Sequence, residues 1–260
     1  MRLLGAAHPG PALAVTVLAG LLAGAVGLGA GAVVLVVAAV LTGQLSIGWS
    51  NDLIDLPRDR AVGRTDKPLV SGEIGVRAIQ VACGLALVAT VPLSLALGWA
   101  AGLVQLLHVA AGWVYNLGAK ATVLSWAPYA VAFGALPAFV SLAAGERPPV
   151  WFAVAGALLG VGAHVVNVLP DLADDEATGV RGLPHRLGPR WCPPVAVGVL
   201  VAAAVVVVLA APVEPVGLAV ATLAVTAVLA VAALATQGRT PFRIAVVMAL
   251  VDVGVLVWSR

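Results

Sequence analysis

The sequence predicts an all-α protein, a polytopic membrane helix bundle of about nine transmembrane helices, and three observations carry that expectation. Of 260 residues, 62% are hydrophobic and only 10% charged, with a mean hydropathy of +1.08. A soluble domain carries roughly 25% charged residues, so this chain has too few charges to cover a surface that faces water. The apolar residues also fall into nine stretches close to the ~20 residues that cross a bilayer. Finally, the basic residues gather in alternate loops, the bias expected of cytoplasmic loops.

The nine stretches are 11–28, 31–50, 75–97, 99–117, 124–143, 150–168, 192–211, 216–236 and 242–258. The first two are divided only by the glycines between 27 and 31, and the third and fourth only by Gly98. The first stretch is followed by many of its kind, which makes it a spanning helix rather than a cleaved leader. Ala, Val, Gly and Leu dominate throughout, and small residues let helices approach closely in lipid. With the N-terminus inside, every basic residue except Arg147 and Arg260 lies on the inner side. A formal charge of +2, spread over short loops rather than along a stripe, excludes nucleic acid as a partner. Cys83 and Cys192 lie far apart with no metal-ligand spacing, as two unpaired thiols. Residues 1–260 form a single transmembrane domain on this pattern.

The acidic residues do something the charge bias does not predict. All but Glu146, Glu214 and Asp252 lie on the inner side. Most belong to two motifs at helix ends. The first runs Asn51-Asp52-Leu53-Ile54-Asp55-Leu56-Pro57-Arg58-Asp59. At ~100° per residue its three aspartates fall within roughly 60° of one another. Carboxylates so placed repel unless a cation sits among them, and hard oxygen ligands suit Mg²⁺, which takes one or two carboxylates together with substrate phosphates. Pro57 removes a helix bond and is expected to bend the chain before Asp59. The second motif, Asn167-Val168-Leu169-Pro170-Asp171 continuing to Asp174 and Asp175, repeats the Asn-x3-Asp-x3-Asp spacing. Asn51 and Asn167, Asp55 and Asp171, Asp59 and Asp175, and Gly72 and Gly188 each stand 116 residues apart. An internal repeat of about four helices, related by an axis along the membrane normal, would place both motifs on one face. The bland alternative is that these are solvated loop charges, but ordinary inner loops need no carboxylates at helical spacing.

From Asn51-Asp52-x2-Asp55-x3-Asp59-Arg60 through Arg64-Thr65-Asp66-Lys67-Pro68-Leu69-Val70-Ser71-Gly72, and again at Asp171–Asp175 with Gly179 and Arg181 beyond, the chain resembles the UbiA superfamily of intramembrane prenyltransferases. The resemblance runs over essentially the whole chain. It implies that Asp52, Asp55 and Asp59 hold one Mg²⁺ and Asp171 and Asp175 a second, with Asn51, Asn167 and Asp174 in support. Arg64, Lys67, Lys120 and Arg181 would contact the diphosphate, and Tyr115 would lie beside the carbocation. The implied reaction is transfer of a prenyl group from a polyprenyl diphosphate to an aromatic or other small lipophilic acceptor. The alternative is a membrane terpene cyclase that ionises the same donor and needs no acceptor. A transporter with a divalent-cation site is disfavoured, because its coupling charges belong near the bilayer midplane. The implied location is the cell membrane, with the active site at the cytoplasmic face. Two departures stand out: Asp66-Lys67-Pro68 where the family has Asn-Arg-Pro, and Ala173 where it has a further aspartate.

The remaining polar residues read as structural. His108 and His164 lie within spans as interhelical hydrogen-bond partners, and His8 and His185 lie near the surface. Asp252 either lines a cavity or pairs with Arg243. Trp49, Trp113, Trp151, Trp191 and Trp258 sit near span ends as an aromatic belt.

Overall fold

The computed structural model describes residues 2–210, 216–236 and 240–258. Glu214, Arg239 and Arg260 lie outside these, as do the side chains of Arg2, Asp174 and Trp258. Every regular element among the described residues is helical: α1 (Arg2–Gly5), α2 (Pro9–Ala25), α3 (Ala30–Ala61), α4 (Val76–Leu95), α5 (Trp99–Leu117), α6 (Ala127–Ala143), α7 (Val150–Val168), α8 (Leu172–Ala177), α9 (Leu183–Ala210), α10 (Val216–Ala235) and α11 (Thr240–Trp258). Each of the nine apolar stretches matches one helix. Six of them, α3, α4, α5, α7 with its 3₁₀ extension, α9 and α10, are long and apolar enough to cross a membrane, while α2 and α6 are shorter apolar helices.

The two cuts that rested on glycine alone are real breaks. Gly27 adopts φ +75° after α2 and Gly98 φ +104° between α4 and α5, conformations that a residue without a Cβ reaches at no steric cost. Large apolar side chains such as Val88, Leu209 and Val228 point outward, 68–81% exposed. Such a surface suits lipid rather than water.

Neighbouring helices in sequence are mostly neighbours in space, and α11 packs on both α2 and α7, so the bundle closes on itself around an interior cavity. Close approach depends on small residues. A Cβ at Gly160 would lie 2.4 Å from the Tyr129 carbonyl oxygen, and one at Gly156 2.4 Å from that of Phe133, so α7 lies directly on α6. A Cβ at Gly48 would lie 2.2 Å from the Ala7 carbonyl oxygen. That contact seats the segment before α2 against α3, and Trp49 Nε1 pins it by donating to the Leu3 carbonyl oxygen at 2.9 Å. Trp49 is therefore buried inside the protein, not part of a belt. Trp113 likewise turns inward, donating to Ser46 Oγ at 3.2 Å. Cys83 and Cys192 are both free and buried.

One expectation about the motifs needs correcting. α3 does not bend away at Pro57 but continues to Ala61, a helix of 32 residues and about 48 Å at 1.5 Å per residue. The ~30 Å hydrocarbon layer accounts for only part of that length. The remainder carries Asp52, Asp55 and Asp59 on one continuous buried face. The second motif is less regular. α7 ends at Val168, a single 3₁₀ turn covers Leu169–Asp171, and α8 then carries Asp175.

The α6–α7 contact yields a prediction. Gly160→Ala should destabilise the protein by about 1–3 kcal/mol, because the added methyl meets backbone that cannot move aside. Thermal unfolding in detergent should show the lowered midpoint, with little loss in an Ala substitution at Gly84, where a Cβ would meet nothing.

Candidate active site

One cavity of about 780 Å³ lies inside the bundle, and both aspartate motifs line it through Asp52, Asp55, Asp59, Asp171 and Asp175. The three α3 aspartates are 2–5% exposed, a costly position for carboxylates unless cations accompany them. The cations come from α3 itself and from the segments that follow α3 and α5. Lys67, from the loop after α3, bridges Asp52 Oδ1 at 3.0 Å and Asp59 Oδ2 at 2.7 Å. Lys120, in the 3₁₀ turn after α5, meets Asp55 Oδ1, and Arg58 reaches Asp55 Oδ2 at 2.8 Å. Arg58 also approaches Asp175 at 3.8 Å, and Arg64 Nη1 contacts Asp171 Oδ1 at 3.4 Å. Those two arginines tie the first motif to the second.

The environment tunes these groups in different directions. Burial works against the charge on Lys67, but Asp52 and Asp59 together hold its pKa above the ordinary lysine value. Burial pulls the Lys120 pKa below the ordinary value despite Asp55 and Asp175, and the like charge of Arg58 adds to that pull. Burial pushes the Asp175 carboxyl up, against the pull of Arg58 and His185. Arg64 is held above the usual arginine range chiefly by hydrogen bonds from Nε and Nη2 to both oxygens of Asp66, at 3.0 and 3.1 Å.

Below this charged end the cavity turns aromatic and apolar. The Tyr115 and Tyr129 rings meet edge to face at 5.2 Å, His164 stands 4.8 Å from Tyr129, and Phe133 stacks beyond at 6.2 Å. Asn51 Nδ2 donates to Asn116 Oδ1 at 3.2 Å, and Asn167 Nδ2 to the Tyr129 hydroxyl oxygen at 3.4 Å. Thus Asn51, Asn167, Arg64, Lys67, Lys120 and Tyr115 all come to the wall of this cavity along with the aspartates. Arg181 does not. It lies outside the lining, largely exposed, and pairs with Glu176 at 3.5 Å, because the turn at Gly179 (φ +81°) carries it away from the cavity. The Asp174 side chain is outside the described residues.

Several lining residues carry no sequence signal of their own. His8 Nε2 lies 3.0 Å from Asp52 Oδ1, held there by the Ala7–Gly48 contact and by a left-handed backbone at φ +51°. His185 stands 3.7 Å from Asp175 Oδ2 rather than on the surface. His108 is structural as expected: its Nδ1 donates to the Ala132 carbonyl oxygen at 2.8 Å and its Nε2 accepts from Gln44 at 2.8 Å. Asp252 is buried with no hydrogen-bond partner among the described residues, and it neither lines the cavity nor pairs with Arg243, which does line it.

Lys67 and Asp66 are adjacent but differ sharply in context, 12% and 59% exposed. Lys67→Met leaves two buried carboxylates without their shared cation and should cost about 3–5 kcal/mol. Asp66→Asn breaks an exposed pair and should cost no more than about 1 kcal/mol. Chemical denaturation of both variants in the same detergent checks the contrast.

Comparison with known proteins gives the arrangement its place. Residues 13–256 match the UbiA prenyltransferase family. The chain is similar to the bacteriochlorophyll synthase 33 kDa chain of Cereibacter sphaeroides, 36% identical over 187 residues that make up 65% of this chain and 60% of that one. It therefore spans about 60% of the length of that relative. In fold it is similar to a UbiA homolog from Archaeoglobus fulgidus bound to GPP and Mg²⁺, with a TM-score of 0.76 at 18% identity, covering 98% of this chain and 99% of that one. A UbiA homolog from Aeropyrum pernix K1 gives 0.77 at 19% identity, covering 94% and 97%. The helices and the sequence together make this a multi-pass membrane protein, and it belongs to the UbiA prenyltransferase family.

Proposed function

We propose that the protein is a Mg²⁺-dependent prenyltransferase that ionises a polyprenyl diphosphate and delivers the prenyl group to an aromatic or other small lipophilic acceptor. One observation carries this. Two carboxylate motifs and four cationic side chains converge at one end of a cavity whose other end is aromatic and apolar. A diphosphate needs the first environment and its hydrocarbon tail the second.

The residues fit Mg²⁺. Among the described residues no three His, Cys, Asp or Glu side chains form a ready-made cage. Mg²⁺ does not require one, since it is usually held by one or two carboxylates and completed by substrate phosphates. Asp52, Asp55 and Asp59 would hold one ion and Asp171 and Asp175 another, with Asn51, Asn167 and Asp174 in support. Bound there, Mg²⁺ supplies Lewis-acid stabilisation of the charge that gathers on the departing diphosphate.

Lys67, Lys120, Arg58 and Arg64 add charge-assisted hydrogen bonds to the phosphate oxygens. The allylic C1–O bond breaks with its electron pair going to the diphosphate. Tyr115 and Tyr129 face the cation left on the prenyl carbon, where π electrons are favourable. The acceptor then forms its bond to that carbon and releases a proton. The chain acts as a single domain whose nine apolar helices, the shorter α2 and α6 among them, span the bilayer with the N-terminus inside, so that the site opens at the cytoplasmic face of the cell membrane. An internal four-helix repeat is supported by Gly72 and Gly188, which share both the 116-residue offset and a positive φ, +78° and +75°.

Membranes supplied with geranyl, farnesyl or geranylgeranyl diphosphate, Mg²⁺ and a panel of phenolic, quinol and tetrapyrrole acids should release diphosphate and yield a prenylated acceptor. Chelation should stop the release and added Mg²⁺ restore it. A hydrocarbon formed with no acceptor present would identify a cyclase instead, and no release with any donor would overturn both. Asp55→Ala and Asp171→Ala should each lower release by about a hundredfold or more in protein that still folds, as its cooperative unfolding in detergent would show; full activity in both would overturn the two-motif metal assignment.

A further inference from the structure

His8 holds a backbone conformation that no other non-glycine residue shares among the described residues, with φ +51° and ψ +63°. In that region Cβ crowds the following carbonyl oxygen, and the proline that comes next restricts the residue further. Such a conformation persists only where the surroundings impose it. Here they do. Ala6 and Ala7 are almost fully buried and pack with Trp49, Leu56 and Leu69 in one apolar cluster. The Ala7 carbonyl lies against Gly48, and Trp49 Nε1 holds the Leu3 carbonyl oxygen. The segment before α2 is thus fastened to α3 about one turn from Asp52.

The strained residue delivers its ring to that aspartate. His8 Nε2 lies 3.0 Å from Asp52 Oδ1, and Lys67 Nζ lies 3.0 Å from the same oxygen. Beside the lysine Asp52 is ionised, and a carboxylate only accepts, so Nε2 is the donor whether the ring is neutral or charged. Both contacts fall on Oδ1; Oδ2 has no hydrogen-bond or ion-pair partner among the described residues. Asp52 is nearly out of reach of water, so these contacts decide how its carboxylate is turned. The two partners are not equivalent. Lys67 is shared with Asp59 Oδ2 at 2.7 Å, whereas the His8 side chain has Asp52 as its one hydrogen-bond partner among the described residues.

We infer that His8 is a positioning residue for Asp52: its Nε2–H anchors one carboxylate oxygen and leaves the other free to hold a divalent cation. The inference rests on the proposed Mg²⁺ site at the first motif. Groups behind a ligating side chain fix its orientation, and their loss weakens metal binding by about ten- to a hundredfold. Lys67 cannot fill this role alone, because it also serves Asp59 and is one of the cations a diphosphate would draw on. His8 keeps its grip on Asp52 when Lys67 turns to a phosphate oxygen.

Mn²⁺ titrations of the full-length protein in lipid nanodiscs test this, with the free ion counted by electron paramagnetic resonance. His8→Gly accepts the positive φ, so the segment still seats on Gly48, but it offers no donor. That variant should bind Mn²⁺ about tenfold more weakly than the wild-type protein. His8→Gln, whose amide N–H can reach the position of Nε2, should recover most of the affinity. The Mg²⁺ concentration for half-maximal diphosphate release should rise in His8→Gly by a similar factor and fall back in His8→Gln. Equal Mn²⁺ affinity in wild type and His8→Gly overturns the inference, as does a loss that His8→Gln fails to recover. A raised KM for prenyl diphosphate with Mn²⁺ affinity unchanged would place His8 on the phosphate instead and overturn it too. Failure of the underlying reading shows up separately, in the wild-type protein: no Mn²⁺ binding, or binding that Asp52→Asn leaves intact, removes the metal from the first motif and the inference with it.

Discussion

Carboxylates taken out of water must be given cations, and that single requirement organises the charged end of this protein. Asp52, Asp55 and Asp59 are almost fully buried on one face of α3, so the chain returns lysines and arginines to them from three separate places: the helix itself, the loop after it, and the turn after α5. Each return fixes a loop. Lys67 holds the segment after α3 against its own helix, Lys120 ties the α5–α6 turn to Asp55, and Arg64 reaches across to Asp171. Arg64, with Arg58 of the helix itself, thereby joins the first motif to the second. Under the proposed function, a diphosphate entering the cavity would find both the carboxylates for its metal and its own counter-charges already assembled.

The packing below that layer serves the same end. Gly156 and Gly160 let α7 lie on α6, which brings His164 beside Tyr129 and sets the aromatic wall at a fixed distance from the second motif. Gly48 performs the corresponding service for the first motif by seating Ala7, and with it His8, beside Asp52. Asp66 stands where the family's usual residue is an asparagine, and it grips the Arg64 guanidinium by both oxygens. The sequence departure thus acts on a neighbouring arginine at the part of the cavity wall that both residues line.

Much of this was legible in the sequence, for physical reasons. Nine apolar stretches appear as nine helices because hydrophobic length is a direct demand of the bilayer, and Gly27 and Gly98 could be read as breaks because only glycine accepts their backbone. The aspartate spacing placed Asp52, Asp55 and Asp59 on one face through helix periodicity alone. Other residues stayed silent because their roles depend on the approach of distant segments. His8 lies 44 residues from Asp52, and Ser125 lies 39 residues from His164; no local pattern marks either pair. Arg58 looked like one more inner-loop charge until the helix was seen to run through Pro57. Arg181 shows the converse, since its spacing from the second motif suggested a phosphate contact that the turn at Gly179 directs elsewhere.

The closure of the bundle by α11 against α2 has a consequence for how the protein is made. A chain emerging from the ribosome produces both aspartate motifs and nearly all the cations before α11 exists, yet Arg243, Ala245, Val246 and Ala249 of that helix form part of the cavity wall. Until they insert beside α2, the chamber stands open sideways to the membrane. The charged residues of the cavity are thus synthesised early and its enclosure late, so the chamber is complete only once the final helix has taken its place.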